Sequence, residues 1–459
     1  MRSTEGVATA PQMAAAPSAG WRMPRRAAGE RLSRLDRIQT TMVFYIGVWA
    51  LSPPLFVNGW ARLAAVVALG LWFFCEVTRR NGIVFRPGAS VIIAVFYVIY
   101  TTATIVSADG TQALVSNIQI FIFVLFFIQL QAALRHGLVK YRWVLWGSLG
   151  LLTLWMAITV GALHSDSHIA RALVRSNEET LEYASTGIGG YGLVYAALWA
   201  IPPLFYLVAN LPPLPARRYR DAARAWAVAR RAMAVVSLGF AAILVLTAGY
   251  SIATLAFFLG VLAYLLLRGR GHGRAMRIIL ASAIAIIALG LLQTDFLPNT
   301  LDRLEPLTQG TNYHRKLEDM QASLSADSAI GTVHDRTERY LRSAELFVEH
   351  PLIGTRSVQD IGKHSLLLDT FARFGIIGGI PLLFILLSTP IKILRASRER
   401  PAMAGVAFAS LVLVVVCTLS NDISAPMGFV AYLIYPLAMT YWRPPRPAMR
   451  GRVARFSQA

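Results

Sequence analysis

Residues 113–131 read ALVSNIQIFIFVLFFIQLQ, without a single charged side chain. At about 1.5 Å of rise per residue, a helix of this length spans the roughly 30 Å hydrocarbon core of a bilayer. The same pattern continues outward in both directions, as apolar runs of roughly 18 to 22 residues parted by short polar breaks. It predicts twelve spans, over residues 40–57, 60–77, 89–106, 113–131, 143–163, 185–208, 232–249, 250–267, 278–294, 375–394, 402–420 and 427–441. The fold class expected is therefore all-α, a polytopic membrane protein. Composition agrees: 56% of the 459 residues are hydrophobic and 15% charged, with a mean hydropathy of +0.53. Soluble domains carry about 25% charged residues, so an ordinary soluble enzyme is excluded.

Charge placement orients the spans. With the termini and every second loop on one side, that side collects 32 of the 44 Lys and Arg residues, while the other collects 18 of the 24 acids. The balance is +26 against −6. A Lys/Arg excess marks the cytoplasm, so both termini are expected there and the acidic loops outside. The formal charge of +20 is explained by orientation, and no groove-entering element accompanies it, so no nucleic-acid partner is expected. The organisation predicted is a cytoplasmic basic tail over 1–38, disordered by its Ala, Arg and Gly content, then nine spans over 39–294. An outer loop follows over 295–363, then three spans over 364–441 and a second basic tail over 442–459. The break between spans seven and eight is placed at Ala248-Gly249-Tyr250-Ser251.

Chemistry is expected in the two long outer loops, 164–184 and the larger one before span ten, because long connections in compact proteins usually carry function. The spans hold almost no ionisable residues, Glu76 lying at a cytoplasmic end. Transporters place carboxylates or His at mid-membrane, so the spans argue for surface chemistry over translocation. In the larger loop, residues 335–349 form an amphipathic helix by their spacing, ended by His350-Pro351. Asp335 and Arg339, and Glu338 and Arg342, stand four apart in the favourable order and read as local pairs. Arg336 has Thr332, Val333, Arg339 and Tyr340 at three and four residues, none acidic, and is the arginine expected to face an anion. His364 follows at the start of the helix leading into span ten, at the outer boundary, where an imidazole suits proton transfer. Asp369 and Arg373, four apart, read as a pair. In the first long loop Arg171 is a weaker candidate for a phosphate or sugar contact. Neither the histidines nor Cys75 and Cys417 have metal-ligand spacing, which argues against a protein-held metal.

The order Asp335-Arg336, Tyr340, His350-Pro351-Leu352-Ile353-Gly354, His364-Ser365 and Gly375-x-x-Gly378 resembles the O-antigen ligase and Wzy polymerase superfamily. The likeness covers about 45 residues and is supported by twelve spans with a large outer loop before the tenth. It implies a GT-C-like enzyme of the bacterial inner membrane, working at its periplasmic face without a cofactor. Its substrate would be an undecaprenyl-diphosphate-linked glycan. The acceptor would be a second lipid-linked repeat unit for a polymerase or lipid A core for a ligase, and the further partners implied are membrane lipids and a chain-length regulator. The implied roles are base or acceptor orienter for His364 and diphosphate ligand for Arg336, with Arg339, Arg342, Arg171 and Tyr340 helping to bind diphosphate or glycan. The chemistry suits these residues: a sugar diphosphate carries a good leaving group, and guanidinium groups can neutralise it while a base takes the acceptor proton. One departure is the absence of the Ser-Arg-Gly many members carry at the turn between spans seven and eight. The His364-Ser365 pair and the glycine-rich 187–195 stretch favour the polymerase branch. A lipid-linked oligosaccharide flippase and a non-catalytic member of an export complex are the competing expectations.

Overall fold

In the computed structural model the described residues are 33–165, 169, 178–211, 221–267, 332–357, 361–362, 364–397 and 402–441, and they are helical, with no strand among them. The helices are α1 (Arg34–Leu51), α2 (Pro53–Val57), α3 (Gly59–Val77), α4 (Ala89–Asp109), α5 (Ala113–Ser116), α6 (Ile118–His136) and α7 (Arg142–Ser165). There follow α8 (Glu178–Ser185), α9 (Tyr191–Asn210), α10 (Asp221–Thr247), α11 (Ser251–Leu267), α12 (Thr332–Glu349), α13 (Leu366–Ser397), α14 (Ala402–Ser420) and α15 (Ala425–Met439). Eight described helices are long and apolar enough to cross a membrane: α3, α4, α6, α7, α9, α10, α13 and α14. Two more, α11 and α15, are apolar but shorter. This is the pattern of a multi-pass membrane protein. Leu63, Val66, Val67, Phe73 and Phe74 on α3, with Ile92, Phe96 and Ile99 on α4, are exposed, and so continuous an apolar surface suits lipid rather than water.

Several boundaries move from those the sequence predicts. The first helix starts at Arg34, inside the stretch assigned to the tail, because Ser33 and Asp36 cap each other reciprocally; it ends where Ser52-Pro53-Pro54 interrupts it. The opening apolar run is two helices, since Asn117 breaks it and turns its side-chain amide onto the Ala113 carbonyl at 2.7 Å. The sixth run starts at Tyr191, because Gly187 at φ +94° and the glycines after it separate α8 from α9. The break at residues 248–250 is present, with Gly249 at φ +69°. The run at 278–294 lies outside the described residues, as do residues 1–32 and 442–459.

The bundle is organised around α9, buried continuously from Leu193 to Leu204 despite Pro202 and Pro203 in mid-helix. Beside it, α15 is buried but for Pro426 and widens into a π turn at Val430–Ile434, just before Pro436, which has no N–H to give the preceding turn. Phe123, Phe127 and Tyr432 pack edge to face between α6 and α15, and Gly428 lets the two helices meet.

Contacts between loops show which helix ends share a side. At the end where α1 starts, Asp36 binds Arg79 at 2.9 Å and Lys140 at 2.6 Å, Glu76 binds His136 at 2.9 Å, and Arg142 donates to the Thr440 carbonyl at 2.7 Å. Burial alone would raise the Asp36 carboxyl, but its hydrogen bonds from Lys140 and Arg79 bring it down to about 2. At the opposite end Arg373 binds Asp109 at 2.7 Å and Asn117 at 3.0 Å, and Gln119 accepts from the Ala425 N–H at 2.8 Å. The Tyr191 hydroxyl donates to the Asp422 carbonyl at that same end. These contacts bring the ends of α1, α3, α6 and α15 together on one side and the ends of α4, α6, α9, α13 and α14 on the other.

Arg373 does not pair with Asp369, as their spacing suggests. It reaches across to α4 and α5, and Asp369 turns instead to Ser343 and Ser365. Because Arg373 is 3% exposed, removing its partner strands a buried charge. Asp109→Ala is expected to cost about 3–5 kcal/mol. A lowered midpoint for heat-induced loss of the monodisperse detergent-solubilised protein would register it.

Candidate functional site at the α12–α13 end

The helix read from spacing over 335–349 runs from Thr332 to Glu349, and His350 follows it as the chain turns at Pro351. What comes next is not a free loop. The segment 351–356 lies against a break in α13 at Gly375, which has φ 60° and ψ −163°. An unbroken helix would join the Ile376 N–H to the Ala372 carbonyl and the Ile377 N–H to the Arg373 carbonyl. Here both partners are exchanged: Thr355 and Arg356 donate to the carbonyls of Ala372 and Arg373 at 2.9 and 3.0 Å. The N–H groups of Ile376 and Ile377 donate to Pro351 and Leu352 at 2.8 and 3.2 Å. Tyr100 from α4 donates to the Phe374 carbonyl at 3.2 Å. The helix break therefore leaves few orphan polar groups, as burial requires. Gly354, at φ +68°, and Gly375 are the close-approach points, and a Cβ on either would run into the other segment's backbone. The Pro-Leu-Ile-Gly turn and the Gly-x-x-Gly stretch are thus two halves of one joint.

The joint and a second anchor hold α12 over the start of α13. Ser343, fully buried on α12, accepts from the Gly362 N–H at 3.0 Å and donates to Asp369 at 2.6 Å. Asp369 also accepts from the Ser365 N–H at 3.0 Å, and Ser365 caps α13 by accepting from the Leu368 N–H at 3.2 Å. The Leu366 N–H donates to the Asn421 carbonyl at 3.3 Å, fixing this start against the end of α14.

His364 stands just before that cap, half-buried. Its Nε2 lies 2.6 Å from a guanidinium nitrogen of Arg339. Arginine has no acceptor, so Nε2 accepts and the imidazole proton resides on Nδ1. Among the arginines expected to serve the site, Arg339 is the one whose described side chain meets the histidine. Its local partner by spacing, Asp335, has a side chain outside the described residues. The backbone of Arg336 lies on α12 one turn before Arg339, but its side chain is outside the described residues, and Arg171 lies outside them altogether. Arg342 is exposed and Tyr340 half-buried on the same helix.

Two further groups escape sequence reasoning. Arg356 adopts φ +67°, the only positive value among the described non-glycine residues, held there by its bond to the Arg373 carbonyl; its side chain is exposed beside Tyr100. Asp422, between α14 and α15, keeps open surface yet is enclosed by protein on its other sides. That enclosure, reinforced by the Asp369 carboxylate, pushes its carboxyl up to about 6. The sequence signal was available: Asp422 is the only acid after Glu399.

An acid whose pKa rises on folding favours the fold while protonated. The contribution is complete below about 4 and disappears as pH rises through about 6. The titratable groups recorded against it are Asp369 on α13 and Tyr191 on α9. Melting temperature is expected to decline slightly across that interval in the wild type, and Asp422→Asn should flatten the decline.

No family model matches the chain, and no curated protein matches it.

Proposed function

We propose that the chain is a glycosyltransferase of the bacterial inner membrane, with twelve GT-C-like spans, both termini in the cytoplasm and the α12–α13 site at the periplasmic face. Its reaction joins undecaprenyl-diphosphate-linked glycan repeats into polysaccharide, as a Wzy-type polymerase does. The observation that carries this reading is the contact between Arg339 and His364, a guanidinium and an imidazole held together by elements docked through backbone hydrogen bonds.

In the reaction the acceptor hydroxyl oxygen attacks the anomeric carbon of the donor sugar. The bond from that carbon to the diphosphate oxygen breaks, undecaprenyl diphosphate departs with the electron pair, and the acceptor proton passes to a base. Arg339 meets the departing negative charge, with Arg336, Arg342 and Arg171 as further diphosphate ligands and Tyr340 against the glycan. As Arg339 turns to the phosphates, Nε2 of His364 is released with its lone pair towards the acceptor. With no arginine at the 248–251 turn, the α12 arginines meet the charge on the diphosphate.

The test supplies purified protein with lipid-linked repeats, with and without lipid A core. Longer lipid-linked chains are expected. Transfer only onto lipid A core would make the protein a ligase. Unchanged substrate carried across a proteoliposome membrane would make it a flippase and end the transferase reading.

A further inference from the structure

Three tyrosines meet at the same end of the bundle, from two separate parts of the chain. The rings of Tyr191 and Tyr195, one helical turn apart on α9, have centroids 4.4 Å apart, and Tyr250 from the α10–α11 turn stands 6.2 Å from the first and 6.1 Å from the second. Tyr195 is buried, whereas Tyr191 and Tyr250 each keep part of their surface open. Their planes cross at 77°, so the two partly open rings form a corner. The Tyr191 hydroxyl donates to the backbone carbonyl of Asp422 at 2.5 Å, and the Asn421 amide donates to the Tyr195 hydroxyl at 2.8 Å. These bonds fix the backbone of Asn421 and Asp422 against α9, with the exposed Asp422 side chain close enough for its charge to act on Tyr191.

Packing alone accounts for Tyr195. It does not account for two aromatic faces left partly open beside an exposed carboxylate-bearing residue. A sugar ring has an apolar C–H face, which packs on an aromatic plane, and a rim of hydroxyls, which donate to a carboxylate. The corner is also tied to the transfer site. Asn421, adjacent to Asp422, accepts from the Leu366 N–H, and the Ser365 hydroxyl donates to the Thr418 carbonyl at 3.3 Å, so the chain one residue past His364 is bound to this element.

We propose that Tyr191, Tyr250 and Asp422 form the subsite for the acceptor sugar, taking a neutral hexose or N-acetylhexosamine face-on against the tyrosines with hydroxyls on the carboxylate. The inference builds on the transferase reading, and its test is kept separate from transfer. The full-length protein in detergent is presented with maltotriose, cellotriose, mannotriose and chitotriose, which carry neither lipid nor diphosphate, and saturation transfer to the sugar protons is measured by NMR. At least one trisaccharide is expected to bind the wild type. Tyr250→Ala and Tyr191→Ala should weaken that binding about tenfold, Tyr250→Phe should retain it, and Asp422→Asn should weaken it while leaving the aromatic contacts. Trp226→Ala, an exposed aromatic on α10, serves as the control and should change nothing. No binding of any of the four sugars to the wild type, or equal binding by Tyr250→Ala and the wild type, would overturn the subsite. Tyrosine-dependent binding without any transfer of lipid-linked repeats would retain the subsite and remove the transferase reading.

Discussion

Gly375→Ala is expected to leave almost no well-folded protein. The glycine sits at φ 60° and ψ −163°, a region essentially closed to residues with a Cβ, and the backbone term there costs about 1–3 kcal/mol. A methyl group would also collide with the backbone of Leu352 and Ile353, which has no flexible side-chain end to yield. Relief requires the 351–356 segment to withdraw from α13, and withdrawal gives up four exchanged backbone hydrogen bonds, each worth about 1 kcal/mol when satisfied and more when left buried and open. The sum rivals the 5–15 kcal/mol by which native domains exceed their unfolded states. Size-exclusion profiles of the solubilised variant should show loss of the monodisperse peak, and a wild-type melting temperature would contradict the joint described above. Gly354→Ala meets the backbone of Arg373 from the other side and should behave alike.

His364→Ala is expected to act in the opposite manner, sparing the fold and abolishing product. The side chain is half-buried, and it meets the exposed Arg339 at the surface of the site rather than in the core. A general base contributes typically about a hundredfold to ten-thousandfold, and the variant should lose at least the lower figure in conversion of lipid-linked repeats to longer chains. Membrane levels and melting temperature should match the wild type. Normal chain lengths made by His364→Ala would remove the base role. Arg339→Lys sharpens the comparison, because lysine keeps the charge but not the planar fork, and a loss in that variant identifies bidentate phosphate contact rather than bulk charge.

The sequence by itself determined that the chain is helical and apolar, and where α12 lies. Apolar runs and Lys/Arg asymmetry are local quantities, and a 3.6-residue period can be counted without knowing any neighbour. It also marked His364, the Pro351–Gly354 turn and Gly375, though only as a string of motifs. Tertiary structure decided what those motifs do. Helical spacing assigned Arg339 to Asp335 and Arg373 to Asp369, because pairs three and four apart are all that a single helix can reveal. The folded chain brings Arg339 to His364, 25 residues on, and Arg373 to Asp109, 264 residues away. Likewise a glycine in an apolar run reads as a helix interior until another segment takes over its neighbours' hydrogen bonds. Asp422 meets Tyr191 for the same reason: contacts that set charge and access are made across the bundle, between residues that share no period along the chain.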